Sequence, residues 1–254
     1  MYYIGIDIGS TAAKVAVFEN ENLIETFTLP TGWSSVETAQ KIKEILEEKG
    51  IKVEESKVVA TGYGRVAVPY AHKVVTEITC HGVGAKYIFD NDDMVVIDVG
   101  GQDTKVIELT HGLVNNFYMN DKCSAGTGRF LEVMANTLGL TLGELSEYGR
   151  KGADVTISSM CTVFAESEVI SLIGAGTKKE DIAFGVINSV VNKVASMCSK
   201  MGENSSYYLT GGLCENSYFL EELSKKLKSE VKTDSRGRYA GAIGAGILSK
   251  RVKK

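Results

Sequence analysis

The sequence predicts an α/β chain that contains an internal duplication. The 254 residues include only two prolines but 27 glycines, which indicates many turns and no rigid linker. An apolar strand followed by a glycine turn occurs at residues 2–14 and again at residues 93–105. A shift of 91 residues without a gap superposes the aspartate, the first glycine and the lysine of the two stretches. A register kept over this length indicates two duplicated domains.

The first domain is expected to begin with strand, glycine turn and strand. Ser34 or Ser35 can cap the first long helix, because a hydroxyl accepts hydrogen bonds from the N–H groups of a first helical turn. Gly50 ends that helix. The predicted elements are strands over 2–8, 15–18 and 23–29, a helix over 34–50, a strand over 58–60 with its turn at 61–64, and a helix over 78–89.

The second domain is expected to repeat this order and to add helices. A Cys-x-x-Gly-x-Gly segment opens a helix whose apolar residues recur at helical spacing until Gly139. The helix over 179–201 has one apolar stripe, which is typical of a helix packed on a core. The other predicted elements are strands over 95–97 and 104–107, a helix over 142–148, a helix beginning at Cys161, a strand with a glycine turn over 207–212, and helices over 216–227 and 239–249.

The polar run at residues 90–93 is the expected domain boundary. We therefore expect a first domain over 1–91 and a second domain over 92–238. The C-terminal helix, in residues 239–254, can return to the first domain.

Composition and charge exclude several classes of function. The formal net charge is −4, the pI is about 5.6 and the lysines are scattered. The sequence therefore lacks the clustered positive charge that is typical of proteins that bind nucleic acid. The N-terminus has no basic and apolar leader, and no run approaches the roughly 20 apolar residues of a membrane span. We expect a cytoplasmic protein with no nucleic-acid or membrane partner.

The two glycine turns are candidates for binding phosphate. Backbone N–H groups of such turns can cradle phosphate oxygens, although a single turn is more often only a hairpin. Two turns in one register, with a third at Thr210, Gly211 and Gly212, favour a nucleotide site. Asp7 and Asp98 are expected to hold waters on Mg2+ or to orient the attacking water, because phosphoryl transfer needs positioning and charge neutralisation.

Gln102 and Asp103 are the alternatives for orienting the water. Both follow the second glycine pair directly. For Asp103, capping of the turn is an equally good interpretation.

The five cysteines do not form a disulfide framework in a chain of this length and class. Cys123 and Cys161 each stand at a predicted helix start, where the helix dipole favours thiolate and hence metal binding. A small buried apolar residue is the other interpretation. Two ligands are too few for a tetrahedral zinc or a cubane cluster within one chain, whereas a twofold dimer supplies four.

The remaining cysteines and the neighbouring histidine have simpler interpretations. Cys198 lies on the apolar stripe of its helix and is expected in the core. The roles of Cys80 and Cys214 stay open, and His81 is expected on a helix surface.

These motifs together resemble one family. The turns at 7–11 and 98–103, the Thr-Gly-Gly at 210–212, and the joined stretch Asn-Asp-Lys-Cys-Ser-Ala-Gly-Thr-Gly-Arg-Phe at 120–130 are similar to those of the 2-hydroxyacyl-CoA dehydratase activators, the BadF/BadG-like ATPases of the actin, sugar kinase and Hsp70 superfamily. The resemblance covers the whole chain. It implies an actin-like ATPase fold in which each of two duplicated domains has a mixed sheet flanked by helices.

The resemblance also implies cofactors and site residues. It implies a homodimer with one 4Fe-4S cluster held by two cysteines from each chain, which match Cys123 and Cys161. ATP or ADP with Mg2+ is the expected nucleotide. The residues expected to contact it are Gly9, Ser10, Thr11, Lys14, Gly100, Gly101, Gly126, Thr127, Gly211, Gly212 and Asn216.

The function implied by the resemblance is an ATP-driven one-electron donor. A reduced ferredoxin or flavodoxin would charge the cluster, and ATP hydrolysis would drive the electron to an iron-sulfur client enzyme. The client classes are 2-hydroxyacyl-CoA dehydratases, benzoyl-CoA reductases and double-cubane-cluster proteins. A small-molecule kinase of the same superfamily is the alternative, and it has no use for paired cysteines. A nucleotide-dependent chaperone would need a peptide-binding module for which the chain is too short. Iron content discriminates these classes.

Overall fold

The structure is a computed structural model that describes residues 1–158, 161–201 and 206–252. Ser159 and Met160, which precede Cys161 in the sequence, lie outside the described residues. The chain divides into two units. The first unit contains residues 1–93, 109–116 and 236–254, and the second contains residues 94–108 and 117–235.

The first unit is built on a five-stranded mixed sheet of order β3-β2-β1-β4-β5. β1 pairs antiparallel with β2 and parallel with β4, so the glycine turn after β1 and the turn after β4 lie at the same end of the sheet. The elements are β1 Tyr2–Ile8, β2 Ala12–Glu19, β3 Asn22–Pro30, α1 Ser35–Glu48, β4 Lys57–Thr61, β5 Lys73–Val74, α2 Glu77–Phe89 and, from the C-terminal segment, α8 Ala240–Ser249.

The second unit holds a sheet of order β10-β9-β6-β7-β8 and, in its described residues, five α-helices. Its largest core cluster joins β6 to the helices that cover the sheet. The elements are β6 Met94–Val99, β7 Thr104–Thr110, β8 Leu113–Asn120, α3 Gly128–Leu138, α4 Leu142–Gly149, α5 Thr162–Gly174, α6 Lys179–Cys198, β9 Tyr207–Gly211, α7 Ser217–Leu227 and β10 Val231–Thr233. The hairpin that connects β7 to β8, residues 109–116, is assigned to the first unit.

The duplication predicted from the sequence is confirmed by the strand order. The first sheet has the order β3-β2-β1-β4-β5, and the second, written in the reverse direction, has the order β8-β7-β6-β9-β10. If the strands of each unit are counted along the chain, both orders are third, second, first, fourth and fifth. The fine register also repeats, because Asp7 of β1 lies opposite Thr61 of β4 and Asp98 of β6 lies opposite Thr210 of β9. The α/β fold class, with two mixed sheets flanked by helices, is therefore correct.

The structure extends the predicted elements and adds short ones. The strand predicted over 58–60 runs over Lys57–Thr61, and the helix predicted over 142–148 ends at Gly149. β5 and β10 were missed because strands of two and three residues carry too little alternation to be recognised. Among the described residues, no helix is long and apolar enough to cross a membrane.

Small residues bring α2, α8 and β1 into direct backbone contact. A Cβ on Gly244 of α8 would collide with the carbonyl of Cys80 on α2, and one on Gly84 of α2 would collide with the carbonyl of Ala240. Gly5 of β1 has the same relation to Ala242 of α8. Only glycine permits this approach, which explains the small-residue composition of α8.

We predict that Gly244→Ala lowers the free energy of unfolding by about 3 kcal/mol, because the atoms that obstruct the new methyl group belong to backbone and cannot move aside. Urea unfolding followed by circular dichroism measures the loss. Gly174→Ala is the control: Gly174 has no neighbour within 4 Å of an added Cβ, so a change below about 0.5 kcal/mol is expected. Equal stability of the two variants would show that α2 and α8 are not held this closely.

Candidate functional site

The first glycine turn, residues 9–11 between β1 and β2, surrounds a buried carboxylate. The N–H of Gly9 donates to the carbonyl of Ala12 at 3.2 Å, which closes the turn. Asp7 is 3% exposed, and its Oδ1 has no hydrogen-bond partner among the described residues. Gly62, with φ of +84°, lies so close that a Cβ there would collide with that oxygen. Because an unpartnered buried carboxylate oxygen is costly, this atom is suited to a polar ligand.

Histidine 81 also belongs to this region, which corrects the sequence-based expectation. His81 is 5% exposed and not on the helix surface. Its Nδ1 lies 3.2 Å from the carbonyl of Glu77, one helical turn earlier on α2. A Cβ on Gly241 would lie 2.5 Å from Oδ2 of Asp7 and 2.9 Å from Cε1 of His81, so both side chains contact this glycine. The helix α8 therefore lies behind the first glycine turn.

The second glycine turn, residues 100–103 between β6 and β7, has the same backbone geometry. The N–H of Gly100 donates to the carbonyl of Asp103 at 2.9 Å. Asp98 is 3% exposed, and the hydroxyl of Thr210 donates to its Oδ1 at 3.2 Å. Gly211, with φ of +83°, covers this carboxylate as Gly62 covers Asp7. Each aspartate thus contacts a glycine with positive φ at the C-terminal end of the neighbouring parallel strand.

The second turn contains a charge cluster that the first turn lacks. The ammonium of Lys105, which is 1% exposed, lies 2.8 Å from Oδ1 of Asp103 and 3.3 Å from Oδ2 of Asp98. Asp103 is 4% exposed. Removing one partner of such a buried ion pair costs about 3–5 kcal/mol, because a charge is left uncompensated. These three side chains therefore form a fixed unit.

Two backbone hydrogen bonds join the second glycine turn to the start of α3. The N–H of Gly128 donates to the carbonyl of Gly100, and the N–H of Arg129 donates to the carbonyl of Gly101, both at 2.9 Å. The first N–H groups of a helix have no partner within the helix, so these bonds satisfy them. A third contact runs from the hydroxyl of Thr104 to the carbonyl of Gly126 at 2.6 Å.

The segment before α3, residues 120–127, carries Cys123 and is held by side-chain hydrogen bonds. The amide of Asn120 donates to the carbonyls of Cys123 and Ala125, at 3.0 and 2.8 Å. The hydroxyl of Thr127 donates to the carbonyl of Ser124 at 2.6 Å. We call this segment the cysteine loop. Its internal bonds give Cys123 a defined position.

The two candidate metal ligands lie on neighbouring elements of the second unit. Cys161 is the N-cap of α5, so its predicted place at a helix start is confirmed. The same prediction for Cys123 is wrong, because α3 begins only at Gly128 and Cys123 lies in the loop before its N-cap, Thr127. The hydroxyls of Ser124 and Thr162, each adjacent to one of the cysteines, lie 2.7 Å apart. Cys123 and Cys161 are both exposed, whereas Cys80, Cys198 and Cys214 are buried. The core position predicted for Cys198 is confirmed, and Cys80 and Cys214 are core residues as well.

A cavity of about 650 Å3 opens beside the third glycine turn, within the second unit. Gly212 lines it from the turn after β9 and Asn216 from the N-cap of α7, while Ser146 lines it from α4 and Arg150 from the C-cap of that helix. The Asn216 side chain caps α7 through the N–H of Phe219 and donates to the hydroxyl of Ser146. The cavity is large enough for a nucleoside.

The other predicted nucleotide residues occupy different positions. Thr11 and Gln102 are exposed, and Ser10, Lys14 and Gly101 are partly buried at the turns. Gly126 and Thr127 are buried, and their polar groups bond to Thr104 and Ser124. These two residues thus link the cysteine loop to the strand that leaves the second turn.

Sequence reasoning missed the parts played by Lys105 and His81. Lys105 was noted only as a repeated position, although a lysine two residues after Asp103 in an apolar strand signals a buried ion pair. For His81 no such signal exists, because the glycines that admit it lie on α8, far along the chain.

Comparison with known proteins assigns the class of this fold and site. The sequence matches the BadF/BadG/BcrA/BcrD ATPase family over residues 4–249. It is 42% identical to the (R)-2-hydroxyglutaryl-CoA dehydratase activating ATPase of Acidaminococcus fermentans, with 98% of this chain and 97% of that protein covered. The chain therefore belongs to the BadF/BadG/BcrA/BcrD ATPase family.

Two solved structures agree with this assignment. The crystal structure of (R)-2-hydroxyglutaryl-CoA dehydratase component A from A. fermentans has a TM-score of 0.92 and 41% identity, with both chains fully covered. The activator of the 2-hydroxyisocaproyl-CoA dehydratase from Clostridium difficile, with bound ADPNP, has a TM-score of 0.90 and 36% identity over 100% of this chain and 99% of that chain. The fold is thus that of an actin-like ATPase.

We predict that iodoacetamide at neutral pH alkylates Cys123 and Cys161 of the metal-free protein first. Burial raises the pKa of the Cys80 and Cys198 thiols to about 12, so little thiolate is present at either position below that pH. Mass spectrometry of a time course measures the order of labelling, and urea-unfolded protein, in which all five cysteines react, is the control. Labelling of Cys80 or Cys198 as fast as Cys123 would contradict the described burial.

Proposed function

We propose that this protein is an ATP-dependent one-electron donor that activates an iron-sulfur client enzyme. The single observation that carries the proposal is a chain of contacts: the second glycine turn bonds to the start of α3, the loop before α3 carries the exposed Cys123, and the Ser124–Thr162 contact joins that loop to the start of α5, where the exposed Cys161 lies. The similarity to dehydratase-activating proteins supports the same function. A 2-hydroxyacyl-CoA dehydratase is the client class that these relatives favour.

Each of the two glycine turns is proposed to bind ATP phosphate. Their N–H groups and the Lys14 ammonium supply positive charge, and bound Mg2+ would neutralise further phosphate charge. Asp7, with its unpartnered buried oxygen, is suited to hold a water of that ion. Asp98, fixed by Lys105 and Thr210, is suited to orient the attacking water.

The nucleoside is proposed to occupy the cavity beside Gly212 and Asn216. The carbonyl and N–H groups of the third glycine turn are close to its wall, and Gly212 has room for a ligand because an added Cβ would meet only one atom, 3.9 Å away. The third glycine turn directly follows Thr210 of β9, which lies opposite Asp98 of β6. The proposed nucleoside site is therefore connected through β9 to the Asp98 carboxylate.

The cysteine pair fits an iron-sulfur cluster shared between two chains. Both thiols are exposed and without a disulfide; one lies in the cysteine loop and the other at the N-cap of α5. A 4Fe-4S cluster needs four thiolates, so Cys123 and Cys161 would hold half of it and a second copy the other half. When bound, the cluster would supply one low-potential electron.

The surface around the cysteines supports the homodimer. On α5, Val163 and Phe164 are each 67% exposed and Ile170 is 56% exposed, while Ala165 and Val169 are buried. An exposed apolar helix face marks a surface that another protein covers. We propose that two copies meet on this face, and that a reduced ferredoxin or flavodoxin is the electron donor.

We predict that the anaerobically purified protein contains roughly four iron atoms per two chains. Cys123→Ser and Cys161→Ser should each lose the iron and the ATP-dependent reduction of a dehydratase client, yet still bind ADPNP in a calorimetric titration, because neither thiol belongs to the proposed nucleotide site. Iron and sulfide assays, with client reduction followed by the client's visible absorbance, measure both effects.

Cys198→Ala is the matched control and should keep its iron, because Cys198 is fully buried away from the exposed pair. Iron retained in both serine variants would place the ligands elsewhere. An iron-free protein that phosphorylates a small molecule would favour the kinase alternative.

A further inference from the structure

The two glycine turns share their backbone but differ in the charges around the lysine. Both turns are closed by the same hydrogen bond, from Gly9 to Ala12 and from Gly100 to Asp103. In the duplication register, Ala12 therefore corresponds to Asp103, and Lys14 corresponds to Lys105. One substitution between the copies, alanine against aspartate, decides which groups surround the lysine.

In the first turn the lysine is available to a ligand. Lys14 is partly exposed, and its ammonium lies 3.8 Å from the position of a Cβ on Gly9. Within the part of the chain that the structure describes, Lys14 makes no ion pair, and none joins it to Asp7. An ammonium beside the glycine of a phosphate-type turn is placed to contact phosphate.

In the second turn the lysine already forms ion pairs with the protein. Within the second unit, the charged groups that face the Lys105 ammonium are Asp98 from β6 and Asp103 from the turn, and Thr210 of β9 holds the far side of Asp98. The Lys105 side chain is 1% exposed. If it turned toward a ligand, the two buried carboxylates would face each other without a cation. Two like charges this close cannot both remain ionised without a cation.

We infer that Lys105 is a positioning residue for ATP hydrolysis and not a phosphate ligand. It holds Asp98 and Asp103 ionised and in fixed orientation beside the second glycine turn, while its counterpart Lys14 binds phosphate. The duplicated lysines have thus separated into a hydrolysis role and a binding role. The inference rests on the proposed ATPase function. It adds that the lysines of the two copies have different roles in that function.

The test compares Lys14→Met with Lys105→Met in the cluster-containing dimer. Lys14→Met should weaken Mg·ADPNP binding by about 10- to 100-fold, because a charge-assisted hydrogen bond to phosphate is lost. Lys105→Met should leave that affinity within about threefold and lower kcat for ATP by about 100-fold at neutral pH, since one of the two carboxylates takes up a proton. Part of its kcat should return between about pH 7 and 9, as that proton is removed.

A double variant, Asp103→Ala with Lys105→Met, keeps the test decisive if Lys105→Met alone does not fold. It removes one charge of each sign, so Asp98 no longer faces a second carboxylate. The double variant should bind Mg·ADPNP as the unsubstituted protein does and show a kcat that does not rise with pH over the same interval. A loss of affinity like that of Lys14→Met, in either Lys105 variant, would make Lys105 a phosphate ligand and overturn the inference.

The unsubstituted dimer separates this inference from the proposed function. If it binds Mg·ADPNP but does not hydrolyse ATP, the proposed function fails. The Mg·ADPNP affinities of Lys14→Met and Lys105→Met then still show which of the two lysines binds phosphate. If it hydrolyses ATP and Lys105→Met does so at the same rate and with the same pH profile, only the inference about Lys105 fails.

Discussion

The arrangement depends on two backbone hydrogen bonds, from the N–H groups of Gly128 and Arg129 to the carbonyls of Gly100 and Gly101. They satisfy the first donors of α3 with acceptors from the second glycine turn, so the helix cannot shift without moving the turn or leaving polar groups unpaired. The cysteine loop ends where α3 begins, and its own hydrogen bonds fix Cys123. A displacement of the turn would therefore move a residue that we propose as a cluster ligand.

The duplication explains why such a site can be both rigid and specialised. Each copy provides a strand, a glycine turn and a left-handed glycine on the neighbouring strand, and this geometry is preserved almost unchanged. What has diverged is the chemistry around it. In the described residues of the first copy no ion pair joins Lys14 to Asp7, whereas in the second copy Lys105 pairs with both Asp98 and Asp103. The fold thus keeps the same backbone geometry twice, and we propose that single substitutions give the two copies different roles.

The sequence predicted the fold class and the duplication because both leave regular marks: alternating apolar runs, glycines at fixed spacing and a constant register. It also placed Cys161 at a helix start and Cys198 in the core, since helical periodicity defines both positions. It did not predict the contacts of Lys105, Gly128 or His81. These depend on which distant segments approach one another: α8 reaches Asp7 only through glycines that pack on α2 and β1, and the bonds from Gly128 join backbone groups that carry no residue-specific signal.

We propose that the nucleotide state affects the cysteines through these two hydrogen bonds. The most direct test measures the reduction potential of the cluster with ADP and with ADPNP in Gly128→Pro and Gly128→Ala. Proline is tolerated at the first position of a helix and after an extended residue such as Thr127. It breaks the connection to Gly100, because it has no N–H to donate and its ring carbon takes the place of that hydrogen against the Gly100 carbonyl. We predict that the alanine variant keeps the difference in potential between the two nucleotides, and that the proline variant binds both nucleotides and loses that difference. An equal difference in both variants would contradict the account.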